Sequence, residues 1–399
     1  MSDSLEGVYA AAAVHPGELQ ARPENEVDAI PGILTGPGVL AVGETGMDLY
    51  HDAGNEMLQR DVFRRHIEMA EAFGLTLVVH SRNAEAQVLE ELGGSVGVPV
   101  VMHCYTGSVE LGLEAAGRGF YIGFAGPVTY RANGYLRELA SRMPFDRILA
   151  ETDSPYLSPQ PVRGARNQPA NLVYIVETLA EIRDMDLDTA AAGLRENSLR
   201  AFQLGEHRRT DLIYGLYGNL YMNITGKCSN RCRFCIRDRT DGLGGYYLRH
   251  SREPDRRRLR SIMDLLPAGR GEEMVFCGYG EPTMRPELLR ELAGTASSKG
   301  YRVRLNTNGT CLLRMSGEGT IRMLEPFDSV SVSLNAPSGD DYRRICRPDD
   351  PAAWDRLLDF IRLAAGVVEV RATAVRYPGV DMNAVKELAA SMDVPFRER

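Results

Sequence analysis

No apolar run in these 399 residues is long enough to cross a bilayer. No secretion-signal pattern is visible either, so the expectation is a cytoplasmic protein with no membrane partner. Low-complexity segments and short-period repeats are also absent, which excludes solenoids and arrays. Cysteine is scarce, at seven residues, and three of the seven stand close together. That usage points to a reducing compartment and against a disulfide framework. What remains is an ordinary globular composition, 44% hydrophobic and 25% charged, with length for two or three domains.

Positive charge is lacking in the first half. Residues 1–205 carry a net charge of −13, whereas residues 206–399 carry +5. A domain so acidic does not grip nucleic acid by phosphate attraction alone. The polar stretch Gly205-Glu-His-Arg-Arg-Thr-Asp211 separates two apolar patterns. It divides the chain into a domain over 1–204, a linker over 205–216 and a domain over 217–399. The basic run from Arg252 to Arg260 reads as a solvated helix start, with contact to an anionic substrate as the alternative.

The three clustered cysteines are Cys228, Cys232 and Cys235, a CxxxCxxC pattern with Phe234 just before the last. Three thiolates cannot complete a tetrahedral zinc site alone; the spacing suits three corners of a cubane iron–sulfur cluster. A zinc knuckle with a distant fourth ligand is the alternative. The run follows Leu216–Ile224, an alternating stretch that reads as a strand. Loops after strands are where a parallel barrel places its chemistry. The pattern resembles the signature of the radical S-adenosylmethionine (SAM) enzymes. That resemblance implies a 4Fe-4S cluster with one open iron, SAM bound there, and reductive cleavage to a 5′-deoxyadenosyl radical. It also implies an electron donor such as flavodoxin or ferredoxin.

Further along, Met274-Val-Phe-Cys-Gly-Tyr-Gly-Glu-Pro282 looks like the same family's glycine-rich segment. By that resemblance Gly278, Tyr279 and Gly280 bring backbone close to SAM, and Glu281 accepts from its ammonium. Arg302–Gly309 and Asp328–Asn335 read as the next strands. Asn306, Ser333 and Asn335 then lie where a ribose would, with turn formation as the plainer role for Asn306, Thr307 and Asn308. Cys277, Cys311 and Cys346 lack cluster spacing and read as buried apolar cysteines.

The first half carries different chemistry. Glu44, His80, His103, Glu151 and Asp153 each close a short apolar stretch, with helical stretches such as Met57 to Phe73 and Gly134 to Arg142 between. Strand and helix in alternation argue for a parallel sheet or barrel, and ligands at several strand ends suit a metal site on its carboxyl face. The phrases Gly-Glu-Thr-Gly-Met-Asp, His-Ser-Arg, His-Cys-Tyr-Thr-Gly and Glu-Thr-Asp-Ser-Pro-Tyr-Leu resemble the TatD family of metal-dependent deoxyribonucleases, and Val14-His15-Pro16 matches its early His-Pro segment. The resemblance implies a two-metal phosphodiesterase, with nucleic acid as a possible partner. Glu44 would bridge the metals, His80 and His103 would bind one, and Asp153 would bind the other and position water. Zinc, manganese and magnesium all suit such donors. The family opens with a His-x-His strand, and none of the seven histidines here makes that pair. A barrel without its first strand is the expectation, with a shortened chain start favoured over a degenerate scaffold.

The fold class expected is α/β: a TIM-type metallohydrolase barrel lacking its first strand, followed by a partial (βα)6 barrel. The whole resembles the TatD-associated radical SAM proteins. Two rivals stand beside that reading: a TatD-like half that is only a scaffold, and a chain that senses through its cluster without turnover. The substrate of the radical half is unknown from sequence.

Overall fold

The computed structural model describes residues 7–19 and 24–399. The chain divides into two compact units, one reaching to Arg209 and the other starting at Thr210, with Thr35–Pro37 grouped with the second. Among the described residues no helix is long and apolar enough to cross a membrane.

The first unit is built on six parallel strands in chain order: β1 (Ala10–Ala12), β2 (Val39–Asp48), β3 (Thr76–Arg82), β4 (Val100–Met102), β5 (Tyr121–Phe124) and β6 (Ile148–Ala150). They are short apolar runs because both faces are covered. Leu77, Val79, Val100, Val101, Met102 and Ile122 are all buried. Among the described residues β1 and β6 are the two ends of the sheet. Helices return the chain between strands. The longest, Glu56–Phe73, stops where Gly74 takes the left-handed conformation and donates to the carbonyls of Ala70 and Glu71. Buried within that helix, His66 holds the Val62 carbonyl through Nδ1 at 2.7 Å and accepts the Val14 N–H through Nε2 at 3.1 Å. It is a structural histidine that fastens the start of the chain to the helix.

The second unit has six parallel strands and one antiparallel edge. They are β7 (Ile213–Leu216), β8 (Asn219–Met222), β11 (Glu273–Phe276), β12 (Arg302–Thr307), β13 (Ser329–Ser333), β14 (Glu369–Ala374) and β15 (Phe396–Glu398). A small hairpin, β9 (Gly242–Leu243) and β10 (Tyr246–Tyr247), stands between β8 and β11 in the chain. Leu216–Ile224, expected as one strand, instead holds the end of β7, a turn and β8, which pair as a hairpin. Tyr217 and Gly218 both have positive φ, the two-residue turn that matches strand twist. The linker expected over 205–216 accordingly gives way to β7 before its end.

Along β11 to β14 one set of alternate residues is apolar and buried, including Met274, Phe276, Val303, Leu305, Val330, Val332, Val370 and Ala372. The helices Pro286–Ser298 and Ala353–Ala365 pack on this sheet. The other set, Arg302, Arg304, Asn306, Ser329, Ser331, Glu369 and Arg371 among them, lines an open cavity. The basic run after Arg252 starts the helix Arg256–Leu265. Asp255 caps it, and Glu291 pairs with Arg256 and Arg260.

Candidate active sites

In the first unit the acid and histidine side chains converge at the carboxyl ends of the strands. Glu44 and Asp48 lie on β2, four residues apart and therefore on one face. His80 is on β3, His103 follows β4, and Glu151 and Asp153 follow β6. The Glu44 carboxylate spans two histidines. Its Oε1 lies 2.8 Å from His80 Nδ1, and its Oε2 lies 3.8 Å from His103 Nε2. His80 Nε2 is 3.1 Å from Asp48 Oδ2. His103 Nδ1 is 2.8 Å from Glu151 Oε2, and its Nε2 is 3.3 Å from Asp153 Oδ1.

His15, just after β1, sets its ring edge-on against His80 with centroids 4.7 Å apart. His15, Glu44 and His80 form a compact trio whose ligand atoms all lie within 4.8 Å of one another. His80 is thus grouped with His15, while His103 is grouped with Glu151 and Asp153. Asp153 and Cys104 hold positive φ, an uncommon conformation for such residues and one that gathers at functional sites.

Electrostatically this pocket is short of positive charge. Burial alone would lower the pKa of His103. Glu151, Asp153 and Glu44 overcome that and push it up to about 11. Asp48 is held down at about 2, because hydrogen bonds from His51 and His80 outweigh its desolvation. Four carboxylates and three imidazoles in one half-buried pocket are a donor set that fits divalent cations. Sequence reasoning left His15, Asp48 and Glu151 out of the ligand set. The i, i+4 spacing of Asp48 from Glu44 and the i, i+2 spacing of Glu151 from Asp153 were the available signals.

In the second unit Cys228, Cys232 and Cys235 occupy the loop after β8, and all are free thiols. Polar hydrogens are aimed at two of the sulfurs. Asn230 N–H donates to Cys228 Sγ at 3.4 Å, Asn308 Nδ2 lies 3.8 Å from the same sulfur, and Arg237 Nε donates to Cys235 Sγ at 3.3 Å. Such donors stabilise thiolates and the bridging charge of a cluster, so the loop fits an iron–sulfur group. Burial, with Glu281 nearby, pushes the Cys228 thiol up to about 12. Cys346 is buried, as expected, but its thiol is a hydrogen-bond partner of Cys232 and lowers the pKa of that sulfur. The helix Gly339–Cys346 holds the loop: Arg231 N–H donates to the Cys346 carbonyl and Arg233 N–H to that of Ile345. Phe234 packs on Tyr377 with ring centroids 5.8 Å apart.

Glu281 is 3% exposed and points inward. Its Oε1 accepts from the Thr283 N–H (3.1 Å), the Thr283 hydroxyl (2.8 Å) and the Thr307 hydroxyl (2.7 Å). Its Oε2 accepts the Asn308 N–H at 2.7 Å. The carboxylate expected to meet a ligand ammonium is spent on joining the loop after β11 to the loop after β12. Tyr279 likewise packs with Tyr214, Tyr246 and Leu248, and its hydroxyl donates to the Thr240 carbonyl at 3.0 Å.

At Gly278 a Cβ would overlap the Asn223 side chain, and at Gly280 the Thr225 and Lys227 carbonyls. The close approach these glycines permit is between two chain segments, the 278–280 turn and the lead-in to the cysteines. Asn335 accepts the Val375 N–H at 3.1 Å and joins β13 to β14, and Ser333 ends β13 half-buried. Asn306 faces the cavity and accepts from Arg304 at 3.4 Å.

The family model for TatD related DNase matches residues 1–203, and that for the radical SAM superfamily matches residues 222–392. The uncharacterized metal-dependent hydrolase YabD of Bacillus subtilis (strain 168) is 34% identical over 206 residues, 51% of this chain and 81% of its own length. The uncharacterized metal-dependent hydrolase TatD of Mycobacterium tuberculosis is 34% identical over 209 residues, 51% of this chain and 79% of its own. Among solved structures, the TatD homologue YJJV from Escherichia coli K12 aligns at 25% identity with a TM-score of 0.48, covering 51% of this chain and 80% of that one. The chain therefore belongs to the TatD related DNase family, and its residues 222–392 match the radical SAM superfamily as a second domain.

Proposed function

We propose that the second half is a SAM-cleaving radical enzyme whose 4Fe-4S cluster is held by Cys228, Cys232 and Cys235. The observation that carries this is the set of three free thiols after β8, with backbone and side-chain N–H groups aimed at their sulfurs. When bound, the cluster supplies the electron that splits SAM into methionine and a 5′-deoxyadenosyl radical. The chain's own part is to hold and to orient. Arg237 offers charge to Cys235, and its Nη1 donates to the Gly226 carbonyl at 3.0 Å, which fixes the base of the loop. Glu281 locks the Gly278–Gly280 turn beside the cysteine loop, leaving backbone carbonyls of the turn for the SAM ammonium. Asn306, Ser333 and Asn335 stand on the same strand ends and set the ribose side. A flavodoxin or ferredoxin would deliver the electron.

The first half, in this reading, is a divalent-metal phosphodiesterase. Zinc, manganese or magnesium would neutralise the phosphate and lower the pKa of a bound water. Glu44 addresses both histidine groups through its two oxygens, which suits a bridging carboxylate, and Asp153 beside His103 suits the residue that positions water. The test for the radical half is electron paramagnetic resonance of anaerobically reconstituted, dithionite-reduced protein. A reduced 4Fe-4S signal whose shape changes when SAM is added is expected. A signal indifferent to SAM would contradict binding at an open iron.

A further inference from the structure

In a parallel barrel filled by its own side chains, the inward positions carry branched apolar residues. In the second unit they do not. The face opposite the helices carries Arg302, Arg304, Arg371, Arg397 and Arg399, and these line one open cavity of about 1050 Å³. Strand register fixes their arrangement. Arg304 stands across from Ser329, Ser331 across from Arg371, and Thr373 across from Arg397. Two residues along a strand advance about 6–7 Å. Arg304, Arg371 and Arg397 thus form a diagonal, each one step nearer the carboxyl ends of the strands than the last.

The acids on this face do not balance the arginines. Glu273 is taken by Arg304 at 3.1 Å, and Glu369 lies 3.8 Å from Arg371. Glu398 pairs with Arg376, which is not among the lining residues. Among the described residues, Arg302, Arg397 and Arg399 have no carboxylate within ion-pair distance. Burial, together with Arg304 and Arg397, holds the Arg399 guanidinium below its usual range, the direction expected where like charges crowd. Guanidinium groups are planar forks that match carboxylate and phosphate oxygens, and a cavity of this size takes a whole organic molecule.

We infer that the molecule attacked by the radical is a small organic anion, held in this cavity by its carboxylate or phosphate through Arg371 and Arg397, with Arg304 below them. The inference rests on the reading of this half as a radical SAM enzyme. The diagonal rises toward the carboxyl ends of the strands, the end at which the cysteine loop follows β8. The polar alternates between the arginines, Ser329, Ser331 and Thr373, supply neutral hydrogen bonds to the rest of the molecule.

The test uses the reconstituted full chain without added divalent metal, titrated calorimetrically with pyrophosphate and, separately, with tricarballylate. Iron content and SAM binding are measured on the same preparation. Binding of at least one probe is expected, weakened at least tenfold in Arg371→Gln and in Arg397→Gln, partly restored in Arg371→Lys, and falling with added salt. Pyrophosphate alone binding identifies a phosphate-bearing substrate; tricarballylate alone identifies a carboxylate. If Arg371→Gln does not fold, Arg397→Gln carries the comparison. Neither probe binding to protein that holds iron and binds SAM would overturn the inference, as would binding unchanged in both arginine variants. A preparation that holds no iron and binds no SAM overturns instead the radical SAM reading beneath it.

Discussion

Replacing Glu281 by glutamine removes one oxygen acceptor from a carboxylate whose two oxygens are both in use. Oε1 serves three donors, from Thr283 and Thr307, and Oε2 serves the Asn308 N–H alone. A glutamine amide has one oxygen and one NH2, so its oxygen goes to the three donors and its NH2 faces Asn308 N–H, donor against donor. Burial pushes the Glu281 carboxyl up, and the hydrogen bonds from Asn308, Thr307 and Thr283 oppose that. Leaving the buried Asn308 N–H without its acceptor costs about 2 kcal/mol. Glu281→Ala strands the backbone N–H groups of both Thr283 and Asn308, at about 1–3 kcal/mol each, or about 4 kcal/mol together. Hydrogen exchange reads these costs locally. At about 1.4 kcal/mol per decade, amide exchange over residues 306–310 should speed up about 30-fold in Glu281→Gln, and by roughly three orders of magnitude in Glu281→Ala. SAM affinity should fall in both variants while iron content is kept. Exchange at Asn308 within threefold of the wild type in Glu281→Gln would refute the assignment of Glu281 as the tie between the two loops.

Other consequences are equally direct. Cys232→Ala should lose iron and sulfide on reconstitution, whereas Cys346→Ala should keep them, because Cys346 donates to a cluster sulfur without belonging to the triad; iron retained in the first or lost in the second contradicts the assignment. Metal-dependent cleavage of bis-p-nitrophenyl phosphate by the full chain should vanish in Glu44→Gln, and a full chain inert with zinc, manganese and magnesium alike would make the first half a scaffold. His66 is buried and neutral, its pKa lowered to about 4 by desolvation. The folded state therefore binds fewer protons than the unfolded one between about 4 and 6.5. The stability this histidine confers is full above about 6.5 and is lost as pH falls through about 4, amounting to about 3 kcal/mol. The urea midpoint should drop over that window and drop less in His66→Gln; equal slopes would show that His66 is not the group titrating.

Much of both sites is legible in the sequence because the chemistry is local along the chain. Cys228, Cys232 and Cys235 fall within eight residues, and Glu44, His80, His103 and Asp153 each close a short apolar stretch. The rest depends on what packs across. Glu281 sits in a turn that promises a ligand contact, yet four donors claim it, two from Thr283 in its own loop and two from Thr307 and Asn308 across at the end of β12. His15 stands in the His-Pro match but follows a three-residue strand too short to announce itself, and its contact with His80 brings it into the site. The β7–β8 hairpin is hidden because Tyr217-Gly218 is a weak turn signal inside an alternating pattern. The alternation in Arg302-Val-Arg-Leu-Asn-Thr marks a strand plainly, but period two does not say which face meets the helices. Only the sheet shows that the arginines share an open cavity with Arg371 and Arg397.

The central claim is that the three cysteines of the loop after β8 hold a redox cluster that opens SAM. Anaerobic reconstitution with iron and sulfide, followed by iron counting and a dithionite-driven assay for 5′-deoxyadenosine, tests it most directly. About four irons per chain, with 5′-deoxyadenosine formed from SAM and lost in Cys228→Ala, is the result predicted. Bound zinc in place of iron, with SAM recovered intact, would contradict it and return the cysteines to a structural site.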